Sequence, residues 1–99
     1  MDKVAVKICG ITNFEDAFKA VELGVSALGF IFTHSPRRIA PQKARDIISV
    51  IPAFVKTVGV FVNEAFTQIR DLKNYCGLDL VQLHGDESPD FCRSLGPHT

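Results

Sequence analysis

Residues 4–12 read VAVKICGIT, and the alternation within them decides how the whole chain folds. Successive side chains of a strand point to opposite faces, so Val4, Val6 and Ile8 fall on one side while Lys7 and Cys9 fall on the other. Gly10 then lets the backbone turn sharply, and apolar residues resume at helical spacing. A strand with one apolar face and one face carrying an amine and a thiol is unsuited to burial between two layers of helices.

The same pattern, a β-branched or aromatic run, a polar turn and then a helical stretch, recurs down the chain. Strands are expected over residues 4–8, 27–32, 55–62 and 79–84, at intervals of about 25 residues, a normal length for a βα unit. Thr12 and Glu15 have the spacing of a capping box, after which Phe14, Ala17, Phe18 and Val21 form the apolar stripe of a first helix stopped by Gly24. Pro41 opens a second helix behind a poor N-cap, Ala40; Ala44, Ile47, Ile48 and Ile51 turn inward, and Pro52 ends it. A third helix follows Asn63, buries Phe66, Ile69, Leu72 and Cys76, and closes at Gly77. A short fourth begins at Ser88 and Pro89 and ends before Gly96 and Pro97. No linker or low-complexity tract interrupts the series, so residues 1–99 read as one domain.

Repeated βα units with right-handed crossovers build a parallel sheet, either open with helices on both faces or curled into a barrel with helices outside only. One face of the expected sheet carries Val4, Val6, Ile8, Leu28, Phe30, Phe32, Val58, Val60, Val62, Val81 and Leu83. The other carries Lys7, Cys9, Gly29, Ile31, Thr33, Gly59, Phe61, Gln82 and His84, which is too polar to lie beneath apolar helices. That face reads as the interior of a barrel, with its polar members gathered toward the strands' C-terminal ends, where such folds place ligands. A complete (β/α)₈ barrel needs about 200 residues or more. The expected fold class is therefore α/β, a parallel (β/α) repeat forming the first four units of a TIM barrel, with the first and fourth strands left as open edges. The end of the chain in mid-unit favours truncation, and either a second copy or a missing C-terminal half would cover the edges. A flavodoxin-like flat sheet is the competing α/β arrangement, disfavoured by Lys7, Cys9, Gln82 and His84.

Composition narrows the partners. Basic and acidic side chains balance at 11 each, so no net field gathers nucleic acid or an anionic membrane. The N-terminus alternates lysine with short apolar stretches, unlike a signal peptide or a membrane span, and the chain reads as cytoplasmic. Cys9, Cys76 and Cys92 are far apart and in no CxxC pair, which indicates neither a disulfide framework nor a zinc site.

Cys9 is a candidate for chemistry because it lies on the polar face, at a strand's C-terminal tip, before Gly10 and near a helix start that favours a thiolate. A small buried core residue is the competing reading. The loop THSPRRIAP, residues 33–41, places Arg37 and Arg38 at the mouth of the expected site, where a guanidinium suits bidentate recognition of carboxylate or phosphate; a solvated basic loop is the plainer alternative. In VQLHGDE, residues 81–87, Gln82 and His84 share the inner face with Cys9, although a lone histidine is often merely hydrogen-bonded structure. Cys76 and Cys92 occupy apolar helix positions and read as packing. Nucleotide-binding and metal-binding motifs are lacking.

The segments VKICGIT, GFIF followed by SPR, VGVFVN and VQLHGDE, in this order, resemble phosphoribosylanthranilate isomerase of tryptophan biosynthesis, over about the first half of that family's barrel. The resemblance implies an Amadori rearrangement of N-(5-phosphoribosyl)anthranilate to the aminoketose 1-(2-carboxyphenylamino)-1-deoxyribulose 5-phosphate without a cofactor. It implies Cys9 as the general base acting on sugar C2, Arg37 as the contact to the anthranilate carboxylate with Arg38 as second choice, and Gln82 and His84 as pocket-lining residues. The family's general acid, an aspartate on a later strand, and its phosphate loops have no counterpart here; Asp86 does not fill the acid's role. A catalytically inactive fragment serving as a self-associating or assembly module is the alternative function.

Overall fold

The computed structural model describes residues 6–83. Strands β1 (Lys7–Cys9), β2 (Ala27–Ile31), β3 (Lys56–Phe61) and β4 (Leu80–Leu83) alternate with helices α1 (Phe14–Glu22), α2 (Pro41–Ile48) and α3 (Phe66–Cys76). The strands form one parallel sheet in the order β1-β2-β3-β4, so β1 and β4 are its edges, as the repeat predicts. The expected fourth helix, His84 and Cys92 lie outside the described residues.

All three helices contribute to a single apolar core. Ala17 and Ala20 of α1, Ala44 and Ile47 of α2, and Ile69 and Cys76 of α3 join Leu28, Phe30, Phe61 and Val81 of the sheet in one buried cluster. The helices therefore cover one face, which is the arrangement expected from the polarity of the other and not that of a flat, doubly covered sheet. Phe32 stacks on Phe61 within this core, their ring centroids 5.5 Å apart.

The faces of β3 differ from the sequence reading. Val58 and Val60 were expected beneath the helices, but they pair with Gly29 and Ile31 and so share the face of Cys9, itself paired with Gly29. Gly59 and Phe61 were expected inside, yet Gly59 pairs with Phe30 and Val81 and Phe61 with Leu83, on the helix side. The reason is packing. A methyl group at Gly59 would meet the Leu78 side chain at 2.5 Å and the Phe61 ring at 3.0 Å, so glycine is what lets large side chains close over the middle of the sheet. Polar anchoring fixes the same phase: buried Thr57 gives its N–H and hydroxyl to Asp79 Oδ2, at 2.9 and 3.2 Å, locking the start of β4 against β3.

Helix α1 begins one residue later than the capping box implies. Asn13, not Thr12, is the N-cap, and its Oδ1 accepts the Asp16 N–H at 2.7 Å. Both residues are competent caps by type, and it is Asn13 that makes the bond. The buried stripe of α1 consists of Ala17 and Ala20, which bring the helix close to the sheet; Phe14 and Phe18 are exposed on its flank, ring centroids 6.1 Å apart, against the expectation that they turn inward. Helix α2 starts at Pro41 behind an Ala40 that makes no side-chain cap bond, as expected, but ends at Ile48, before Pro52. Helix α3 closes on Gly77 in the left-handed conformation, φ 79°.

At the packed junction of α2 and α3, the Cys76 thiol lies 3.5 Å from the Pro41 carbonyl oxygen. Burial pushes this thiol above its ordinary value of 9.0, and Arg45 offsets part of the rise. The unfolded chain therefore sheds the Cys76 proton first, so its contribution to stability is complete below 9.0 and lost as pH climbs toward the folded value. Denaturant melts at about pH 8 and about pH 10 are expected to show a larger loss of stability for the native chain than for Cys76→Ala.

Candidate active site

The uncovered face of the sheet is strongly curled. In a flat sheet β1 and β4 would stand about 14 Å apart, three spacings of roughly 4.8 Å. Yet the Lys7 ammonium on β1 donates a hydrogen bond to Gln82 Oε1 on β4, so the edge strands bring their side chains together across a bowl. Cys9 lies half-buried at the end of β1 on this same face, which also carries the apolar side chains of Ile31, Val58, Val60 and Leu80.

Two local features present the cysteine. Gly10 adopts φ 89°, where a side chain would be strained, and turns the chain directly after the thiol. The loop after β2 then folds back on its own strand: Ile39 N–H donates to the Ile31 carbonyl at 3.0 Å, and the Arg37 N–H donates to Ser35 Oγ at 3.2 Å. This return brings Arg37 across the cysteine's turn. A methyl group at Gly10 would strike Arg37 Cδ at 2.7 Å and come within 3.3 Å of one guanidinium nitrogen, so the arginine lies over the glycine.

Arg37 and Cys9 also border a groove of about 210 Å³ along the β1 edge, whose other walls include Ile8 and, from α1 and its C-cap, Asp16, Lys19, Ala20 and Leu23, on the helix side of the strand. Arg38 lines a different cavity of about 390 Å³, with Phe32, Ile39, Pro41 and Leu72. The two adjacent arginines, equivalent as sequence, are thus separated by the fold. Gln82 sits on the bowl's inner surface, braced by Lys7; His84 is outside the described residues. Lys7 belongs to no binding motif in isolation, and only its place on the face of Cys9 marked it in the sequence. The arrangement joins a nucleophilic or basic sulfur to a guanidinium able to grip a carboxylate, with an amide on the facing strand.

The model of the N-(5'-phosphoribosyl)anthranilate (PRA) isomerase family matches residues 6–98. The chain is 56% identical over 93 residues to the N-(5'-phosphoribosyl)anthranilate isomerase of Geobacter sulfurreducens, covering 93% of this chain and 46% of that protein. It superposes with a TM-score of 0.92, at 51% identity, on a phosphoribosyl anthranilate isomerase in complex with reduced 1-(o-carboxyphenylamino)-1-deoxyribulose 5-phosphate, over 94% of this chain and 48% of that one. A structure of mutually generated monomers of the dimeric phosphoribosylanthranilate isomerase from Thermotoga maritima gives a TM-score of 0.90 at 49% identity, over 94% and 47% of the two chains. The chain spans about half the length of the curated relatives it matches. With a match over nearly all of its residues and a shared four-stranded parallel framework, the chain belongs to the N-(5'-phosphoribosyl)anthranilate isomerase family.

Proposed function

We propose that this chain supplies the first four βα units of a barrel that isomerises N-(5'-phosphoribosyl)anthranilate, and that Cys9 is its general base. The observation that carries this reading is the Arg37 side chain lying over Gly10, directly after Cys9 at the C-terminal end of β1. Family relatives are about twice this length, enough for the further units that a closed barrel needs. The sequential strand order and the Lys7 to Gln82 contact across the bowl support the half-barrel, since both follow from a sheet already curling toward closure. The chain acts as one domain, in the cytoplasm, on a phosphorylated small molecule.

In the reaction, the sugar ring opens to an imine, and the Cys9 thiolate removes the proton at C2; the electron pair moves toward nitrogen to give an enolamine, which then becomes the ketone. Arg37 binds the carboxylate of the aromatic ring and fixes C2 before the sulfur. Gln82, on the inner face of β4, is assigned to the substrate pocket, as is His84 on the family resemblance alone, and no cofactor takes part. The acid that opens the ring and the phosphate grip come from the units completing the barrel.

The test joins residues 1–99 to the second half of the Thermotoga maritima isomerase and follows the loss of substrate fluorescence. Turnover is expected, and Arg37→Ala is expected to raise KM by about 10 to 100 fold, the worth of a charge-assisted bidentate contact. A substrate whose ring lacks the carboxylate is expected to erase that difference. Equal KM values for native and Arg37→Ala proteins on the natural substrate would contradict the role given to Arg37.

A further inference from the structure

Glycine in the interior of a strand weakens it and marks a place where something approaches closely. Gly29 stands in the middle of β2 with no need of glycine's conformational freedom, because it is not among the residues with positive φ. Its want of a side chain is instead a matter of room. A methyl group there would stand 2.6 Å from the Cys9 sulfur, 3.1 Å from Cys9 Cα and 3.3 Å from Cys9 Cβ, far inside the roughly 3.5–4.0 Å of an ordinary contact. The same residue also holds the chain leaving the cysteine: its carbonyl oxygen accepts both the Gly10 N–H at 3.0 Å and the Ile11 N–H at 3.1 Å.

From these observations we propose that Gly29 is the positioning residue of Cys9, its bare backbone forming the seat on which the thiol rests. The sulfur is confined from below by the strand it lies on and from the side by the turn that the Gly29 carbonyl pins. Any side chain at position 29 lifts the sulfur or swings it to another rotamer, while leaving the backbone of β2 acceptable to an alanine. The catalytic consequence rests on the reading of Cys9 as the base; the placement of the thiol does not.

The experiment compares Gly29→Ala in the native and in the Cys9→Ala backgrounds. Thermal melts are read beside the rate at which iodoacetamide alkylates Cys9, followed on its own peptide, with buried Cys76 as the internal control of folding. Gly29→Ala is expected to lower Tm by about 5–10 °C, an overpacking effect, and to change the Cys9 alkylation rate by at least about threefold while Cys76 stays protected. Once the sulfur is removed by Cys9→Ala, the same substitution is expected to lose at least half of its effect on Tm. An equal loss of Tm in both backgrounds, or an unchanged Cys9 rate, would overturn the proposal. Should Gly29→Ala fail to fold, recovery of a cooperative melt in the double variant supports it, and failure of the double variant overturns it. In turnover by the completed barrel, Gly29→Ala is expected to lower kcat by about 10²-fold with KM within about twofold. Coupling between the two positions beside full turnover by Cys9→Ala would sink the isomerase reading of Cys9 and leave the role of Gly29 standing.

Discussion

Phe30→Ala is expected to destabilise the chain by about 3–5 kcal/mol, the usual cost of emptying an aromatic core site. Phe30 is fully buried, next to the centre of β2, in the cluster where helix-side residues of the sheet join the alanines of α1 and α2. Its neighbour in register is Gly59, whose missing side chain is already filled by Leu78, Phe61 and Phe32. Those three are held by one another and cannot all collapse into the space left by a lost ring, so most of the cavity penalty persists. Domains of this size hold only about 5–15 kcal/mol in total, and the variant should melt at far lower denaturant than the native chain. Leu23→Ala, at a residue 75% exposed, is the control and is expected to stay within about 0.5 kcal/mol. Equal midpoints for the two variants would mean that the core is not organised about β2.

How the sequence reveals this centre is instructive. Along β2 and the residue after it, Leu28, Phe30 and Phe32 alternate with small or moderate residues, and the large ones can only face the helices. In β3, valines alternate with Gly59 and Phe61, so both faces look apolar and periodicity carries no phase. The phase there is set by long-range facts, the Thr57 to Asp79 bond and the crowding over Gly59, which no local pattern contains. Helix α1 shows the same limit. Phe14 and Phe18 have the right spacing for a core stripe, but the narrower alanine stripe beside them permits the closer approach and takes the buried position.

The candidate site was legible to the extent that alternation is reliable. Cys9 and Gln82 fall on one face because a strand's period is two, and the structure puts them there. The sequence named Arg37 ahead of Arg38 by family resemblance alone; that Arg37 crosses the turn after Cys9 was not legible from spacing, because it depends on the return of the loop against Ile31 and on the bare Gly10. Lys7 was readable as inward-facing but not as the partner of Gln82, since that bond exists only when the sheet curls.

The second large effect concerns the sulfur itself. A general base at its optimum contributes about 10²–10⁴-fold to a proton transfer, and nothing else in the described inner face presents an equivalent group at the end of β1. Alanine at position 9 removes the sulfur while leaving Gly10, the Arg37 crossing and the hydrogen bonds to the Gly29 carbonyl with their backbone partners. Substrate binding through Arg37 should therefore survive. The loss is expected in kcat, with KM within about threefold, which is the signature of a group needed in the transition state more than in the bound complex.

The decisive measurement is single-turnover isomerisation of phosphoribosylanthranilate by the completed barrel, native and Cys9→Ala, at saturating substrate. The account predicts a rate lower by about 10²–10⁴-fold in the variant, with substrate still bound. A Cys9→Ala protein that isomerises its substrate at the native rate would contradict it.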